Sequence, residues 1–406
     1  MKNRLGTYLE RYAWPYPLDV DYLPPTDLEI IIIIPSYREP DILPSLRSLL
    51  ATTPLPVHTL LCVVVNEPED ASEATRKINR QTLKTIQQVK GTDKIDIIGT
   101  LCQLPPKKAG VGLARKIGMD QAARWFGTLD KDGIIVCFDA DCTCPPNYLQ
   151  SVFTFYQSSK HDAGIVFHEH PLHPHSGIID YELHLRYYVD ALRYARYPYA
   201  FLTLGSCITV KTNVYLKSGG MNTRKAGEDF YFLHKIAPSC SLGEINQTTV
   251  YPADRISDRV PFGTGRALML YEKEKEIMTY PFQVFEDIKH LMESWQELFA
   301  GQMPVFPESV AAFMAEQEFE STLKKIRTES PNLASFHKRF FTWWDGFRML
   351  KYIHFARDHY YPMARLSESL LSLNSALWHV DSFPSSATEQ LKCIREWDRG
   401  YGNQTR

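Results

Sequence analysis

Apolar residues fall into two textures along the chain. In the first half they gather in short runs rich in β-branched residues: Ile30–Ile34, Leu60–Val65, Ile95–Ile98 and Ile134–Phe138, with Gly164–Phe167 and Gly205–Val210 farther on. Such runs predict strands buried on both faces of a mainly parallel sheet. Between them, Ile42, Leu46, Leu49 and Leu50 recur at helical spacing. Helices are also expected over about residues 71–89, from Val111 to about Phe126, and from about Ile178 to Tyr197. The alternation predicts an α/β sheet with helices on both faces. From Arg266 onward glycine becomes rare and strand patterns stop. Helical patterns continue there, broken near Pro304, Pro307, Pro331, Pro362 and Pro384. The expected organisation is a catalytic domain over 1–265 and a helical region over 266–406.

Composition narrows the function classes. At 406 residues, 44% apolar and 23% charged, the chain has room for a large core. Its formal net charge of −2 argues against nucleic acid as the main partner. No apolar run approaches the roughly 18 residues of a membrane span, and Met1–Pro25 reads as an irregular lead-in without a signal core. A cytoplasmic protein is expected. The eight cysteines are scattered apart from Cys142 and Cys144, which lack zinc-site spacing and read as reduced thiols.

Candidate chemistry centres on Asp139-Ala140-Asp141, directly after the run Ile134–Phe138. Roughly one Asp-x-Asp is expected by chance in such a chain. Asp19/Asp21 and Asp130/Asp132 are further examples, both in polar surroundings, so only Asp139 and Asp141 cap a buried strand. Strand alternation would turn both toward the same side at the carboxyl edge of the sheet, where two carboxylates suit a hard divalent cation. Lys107 and Lys108 precede Gly110 and Gly112 at a helix start, an arrangement that can hold a diphosphate. The glycine spacing fits neither the dinucleotide fingerprint nor the Walker loop.

The order of an Ile-rich strand ending in Pro35-Ser36-Tyr37, Gly110-xxx-Ala114-Arg115, Asp139-Ala140-Asp141 and Gly227-Glu228-Asp229 resembles family-2 glycosyltransferases of the GT-A fold, over about residues 29–265. The resemblance implies a nucleotide-diphosphate sugar donor and Mg²⁺ or Mn²⁺ held by Asp139 and Asp141. It implies an inverting transfer to a hydroxyl acceptor, with Asp229 as general base and Glu228 beside it. Pro35, Ser36, Tyr37, Glu39, Asn66, Lys108, Arg115, Asp139 and Arg259 are the nucleotide-site residues on this reading. Three positions depart from the family: Arg38 and Lys116 each replace an Asn, and Asn66 ends the second strand where an Asp is usual. The first and last of these touch the base pocket and leave the nucleotide open.

Two rival classes are a sugar-phosphate nucleotidyltransferase, whose basic Gly-rich first loop is missing here, and a non-catalytic nucleotide- or sugar-binding protein. The cluster from His168 to His175 is open between a polar loop, an acceptor-facing role and a metal site. On the helix after it, Tyr181, Leu185, Tyr188 and Leu192 read as a core stripe, with Glu182, Arg186 and Arg193 free to line an acceptor pocket. Arg255 and Arg259 sit in a Gly-containing loop suited to closing over phosphates. In the C-terminal region Phe340, Trp344, Phe347 and Leu350 form an aromatic stripe with basic neighbours. It reads as a packing face, or as a peripheral contact with the inner face of a membrane and a lipid-linked acceptor.

Overall fold

A computed structural model of the chain describes residues 2–172, 177–254, 271 and 277–404. Arg255, Arg259, His173 and His175, assigned above to loops, lie outside the described residues. The chain packs as two compact units, one of Met1–Pro171, Thr203–Arg266 and Tyr401–Arg406, the other of Leu172–Leu202 and Ala267–Gly400. The second unit therefore takes in residues 172–202 as well as the helices that the sequence marks off after Arg266.

The first unit opens with a helix that the irregular lead-in hid, α1 (Lys2–Arg11). Its sheet consists of β1 (Leu28–Ser36), β2 (His58–Pro68), β3 (Ile95–Leu104), β4 (Ile134–Cys137), β5 (Ala163–His168), β6 (Ile208–Lys211) and β7 (Leu242–Val250), in the order β3-β2-β1-β4-β6-β5-β7. Neighbours run parallel except β6, which is antiparallel to both β4 and β5. β2 and β3 continue past the ends that their apolar runs suggest. They stay paired to Pro68 and Leu104, so Asn66 is a strand residue and not a turn residue.

Helices cover both faces of this sheet. In α4 (Val111–Thr128), Gly118 lies so close to the sheet that a Cβ there would meet Ile33 at 2.5 Å and Val64 at 3.2 Å. Gly99 pairs with Val63, on the opposite face from Val64, and lies against Ile86 of α3 (Glu73–Gln88). Side chains Ile30–Ile34 and Leu60–Val65 have no measurable exposure. Each contributes about 1.5–3 kcal/mol of burial.

Among its described residues the second unit is helical, apart from a two-residue ladder between Met278–Thr279 and Ala364–Arg365. Its core includes Phe285, Ile288, Phe313, Phe336, Phe340, Trp344 and Tyr352. The aromatic stripe does not lie on one helix. Helix Leu333–Trp343 ends, and Asp345 starts Gly346–His359 by accepting the Arg348 N–H. Phe340 and Trp344 are buried, and Phe347 is 38% exposed. On α6 (Ile178–Tyr194), Glu182, Arg186 and Arg193 do not line a pocket. They form buried ion pairs, Glu182 with Arg186 and Arg395, and Asp398 with Arg186 and Arg193. Among the described residues no helix is long and apolar enough to cross a membrane.

Candidate functional site

Sheet order places a crevice before any side chain is considered. From β1 the chain moves outward through β2 and β3 on one side, while β4 lies on the other, so the connections leaving β1 and β4 diverge at their carboxyl ends. Ser36 ends β1. β4 ends at Cys137, Phe138 adds one more bond to Ile33, and the Cys142 N–H then closes a turn on the Asp139 carbonyl. Asp139 thus stands just beyond the strand and Asp141 within the turn, both partly exposed. The turn, rather than strand alternation, positions Asp141.

The second pair of carboxylates arrives at a helix start. α7 (Thr212–Lys217) leads through Gly219 and Gly220, both with positive φ, into α8 (Glu228–Ile236). Gly227 precedes α8 at φ 72°, a left-handed conformation that favours glycine. Glu228 and Asp229 therefore occupy the first turn, where the helix field favours negative charge. Asn222 steadies this turn by donating to the Glu228 carbonyl at 2.9 Å.

Arg115, in α4, joins the two regions. Its guanidinium donates to Asp139 Oδ1 at 2.6 Å and to Glu228 Oε1, and the residue is 1% exposed. Gly205, at the start of the segment leading into β6, makes room for it: a Cβ there would lie 2.7 Å from the guanidinium nitrogens. Because β6 is reversed, its amino end comes to the edge where its neighbours end. Burial raises the Glu228 pKa against the pull of Arg115, and the Asp229 charge raises it further. Burial also raises that of Asp229. Arg115 and the Phe230 N–H oppose this, and the Asp139 charge adds to it. A carboxylate so raised is a better proton acceptor than an ordinary one.

Other expected residues are distributed unevenly. Ser36 is 1% exposed, and its Oγ has no hydrogen-bond partner among the described residues. Asn66 sits beside it, donating through Nδ2 to the Ser36 carbonyl at 3.1 Å. Pro35 is buried within β1 and Tyr37 is half-buried past its end. Glu39 is buried and accepts the Asp41 N–H, while Arg38 takes a positive φ of 48°. Glu67 is buried among Arg76, Asn79 and Gln103. Lys107 and Lys108 are exposed, and the Lys108 ammonium lies 5.6 Å from the centre of the Trp14 ring. Gly110 and Gly112 serve a close packing: a Cβ on Gly112 would sit 2.1 Å from the Arg224 carbonyl oxygen. His168 and His170 are buried with ring centres 5.5 Å apart.

Chemically, Asp139 and Asp141 offer the hard oxygen donors that could hold a divalent cation. Asp229 offers a proton acceptor. The sequence reading missed Gly205 and Asn222, whose roles depend on contacts distant in sequence.

The chain matches no protein-family model and no curated protein sequence. Among solved structures it is similar to S. aureus TarS residues 1–349 in complex with UDP-GlcNAc, at 13% identity and a TM-score of 0.41, covering 93% of this chain and 92% of that one. The same protein in complex with UDP gives 14% and 0.38, with the same coverage. A further TarS structure gives 14% and 0.36; 55% of this chain is covered, and it spans 36% of that chain.

Proposed function

We propose that the first unit is a nucleotide-sugar glycosyltransferase of GT-A type that moves a sugar to a hydroxyl acceptor. The observation that carries this reading is the buried Arg115, which binds Asp139 after β4 and Glu228 at the head of α8 at once. Two acidic motifs far apart in sequence thereby share one crevice at the carboxyl edge of the sheet.

In this reading the nucleotide lies across the ends of β1 and β2, near Ser36 and Asn66, whose amide donates to the Ser36 carbonyl. A divalent cation held by Asp139 and Asp141 would neutralise charge on the departing diphosphate. Asp229 takes the acceptor proton as the hydroxyl attacks the anomeric carbon from the side away from the diphosphate, which gives inversion. Glu228, tied to Arg115, keeps the first turn of α8 in place. Arg115 holds its two carboxylates at fixed positions, which limits reorganisation during transfer.

Calorimetric titration of UDP, GDP, CDP and dTDP, each with Mn²⁺ and with chelator, tests the donor site on wild type and Asp141→Ala. Metal-dependent binding of one nucleotide, weakened at least about tenfold in the variant, is expected. Failure of every nucleotide to bind would sink the proposal.

A further inference from the structure

The loop that carries the acidic pair is braced by a part of the chain that the reaction does not use. Within the first unit, α1 lies against α4 and α7 and reaches the two glycines that open this loop. Tyr8 is 1% exposed, and a Cβ on Gly220 would meet its hydroxyl at 2.0 Å. A Cβ on Gly219 would meet the Tyr12 ring at 3.4 Å. Both glycines have φ of +74°, so the loop leaves α7 in a conformation that only glycine adopts without strain.

Asp120, buried in the middle of α4, anchors the brace. One of its carboxylate oxygens accepts the hydroxyls of Tyr8 and Tyr215, and the other accepts the Trp14 N–H at 2.7 Å. Lys116, one turn earlier on α4, pairs with Asp120 at 3.2 Å and donates to the Tyr8 hydroxyl at 3.1 Å. Next to Asp120, Gln121 accepts the Leu18 N–H, extending the attachment along the segment after α1. A buried carboxylate with this many donors holds its partners firmly.

From Gly220 the constraint continues to the acidic pair. Lys235 of α8 donates to the Gly220 carbonyl, tying the start of the loop to the helix that the loop leads into. Lys225 donates to the Pro106 carbonyl at 3.0 Å, and Asn222 to the Glu228 carbonyl. Residues 218–228 are thus held at their entry by α1, in the middle by the segment before α4, and at their exit by α8.

We propose that Tyr8, through Gly220, is a positioning residue for Glu228 and Asp229. The segment from α1 to Leu18 then acts as a clasp that sets the first turn of α8 against Arg115. The catalytic meaning of this clasp rests on the function proposed above; the mechanical coupling does not.

Hydrogen exchange on the whole chain separates the two. In Tyr8→Ala, peptides covering 218–236 should exchange about tenfold faster than in wild type, while β1 and β2 keep their protection. Tyr8→Phe retains the ring and should loosen the same peptides by a smaller factor, which keeps the test open if Tyr8→Ala fails to fold. Faster exchange confined to residues 2–18 and 212–217, or spread evenly over the unit, would overturn the proposal. Once a donor is found by the nucleotide titrations, Tyr8→Phe should lower kcat and leave KM for that donor unchanged. A lowered melting temperature with unchanged kcat would mean that the clasp is structural only. Failure of wild type to bind any nucleotide would remove the transfer reading and leave the exchange result standing.

Discussion

Arg115 and Glu228 are 113 positions apart in the chain, yet their side chains form an ion pair that is almost completely shielded from water. Removing one partner of such a pair leaves an uncompensated charge inside. Arg115→Met is expected to destabilise the first unit by about 3–5 kcal/mol, read from urea unfolding. Arg115→Lys should recover only part of this, because an ammonium cannot span Asp139 and Glu228 as the planar guanidinium does. A variant with wild-type stability would show that the pair is not needed for packing.

On the function proposed above, the acidic pair should divide by role. Asp229→Asn is expected to lower transfer by about 10²–10⁴-fold while nucleotide binding stays near wild type, because a general base acts on the acceptor proton and not on the donor. For the wild-type enzyme, activity should fall as pH drops through a pKa raised above the ordinary carboxylate value, since the base works only when deprotonated. An acid limb at the usual aspartate position would remove Asp229 from this role. Release of nucleoside diphosphate is the measurement.

Two buried histidines are expected to add to acid sensitivity. Burial lowers His234, in α8, and His184, in α6, to about 4 from the ordinary 6.5. The unfolded chain therefore takes up these protons first, and stability is lost as pH falls from about 6.5 toward 4. His234→Gln should flatten the pH dependence of the urea midpoint in that window. Curves that remain parallel would exclude the residue as a cause.

In the second unit, Glu182 accepts from both Arg186 and Arg395 with no measurable side-chain exposure. Glu182→Ala removes the carboxylate that Arg186 and Arg395 share, leaving Arg186 its pairing with Asp398, and should cost about 3–5 kcal/mol, whereas replacing the whole cluster by apolar residues of similar volume should cost far less. Circular dichroism melts of both variants would decide the point. Equal melting temperatures for the two would contradict it.

How far the chain could be read in advance follows from how local each signal is. The parallel strands were legible because burial on both faces leaves unbroken apolar runs such as Ile30–Ile34. β7 was not, since Leu242–Val250 mixes polar and apolar residues, and α1 was masked by the prolines that follow it. Leu5, Tyr8, Leu9 and Tyr12 do recur at helical spacing there, a signal that was available. At the site, the acidic residues were legible as types, whereas the contacts that unite them depend on tertiary structure. The polar face of α6, read as free to line an acceptor pocket, is taken up by ion pairs whose partners, Arg395 and Asp398, are about 200 positions away and give no local signal.

The reversed strand has a consequence for biosynthesis. β4 gains its second neighbour only when β6 is made, since Ile134 pairs with Lys211. A nascent chain that has completed α5 (Tyr148–Ser158) but not β6 therefore presents Ile134–Cys137 as a bare apolar strand, the kind of edge that recruits other chains. Ribosome-arrested chains ending before residue 208 should be protease-sensitive and aggregation-prone, and those extended well past residue 211 should resist. Equal sensitivity would mean that something other than β6 shields that edge.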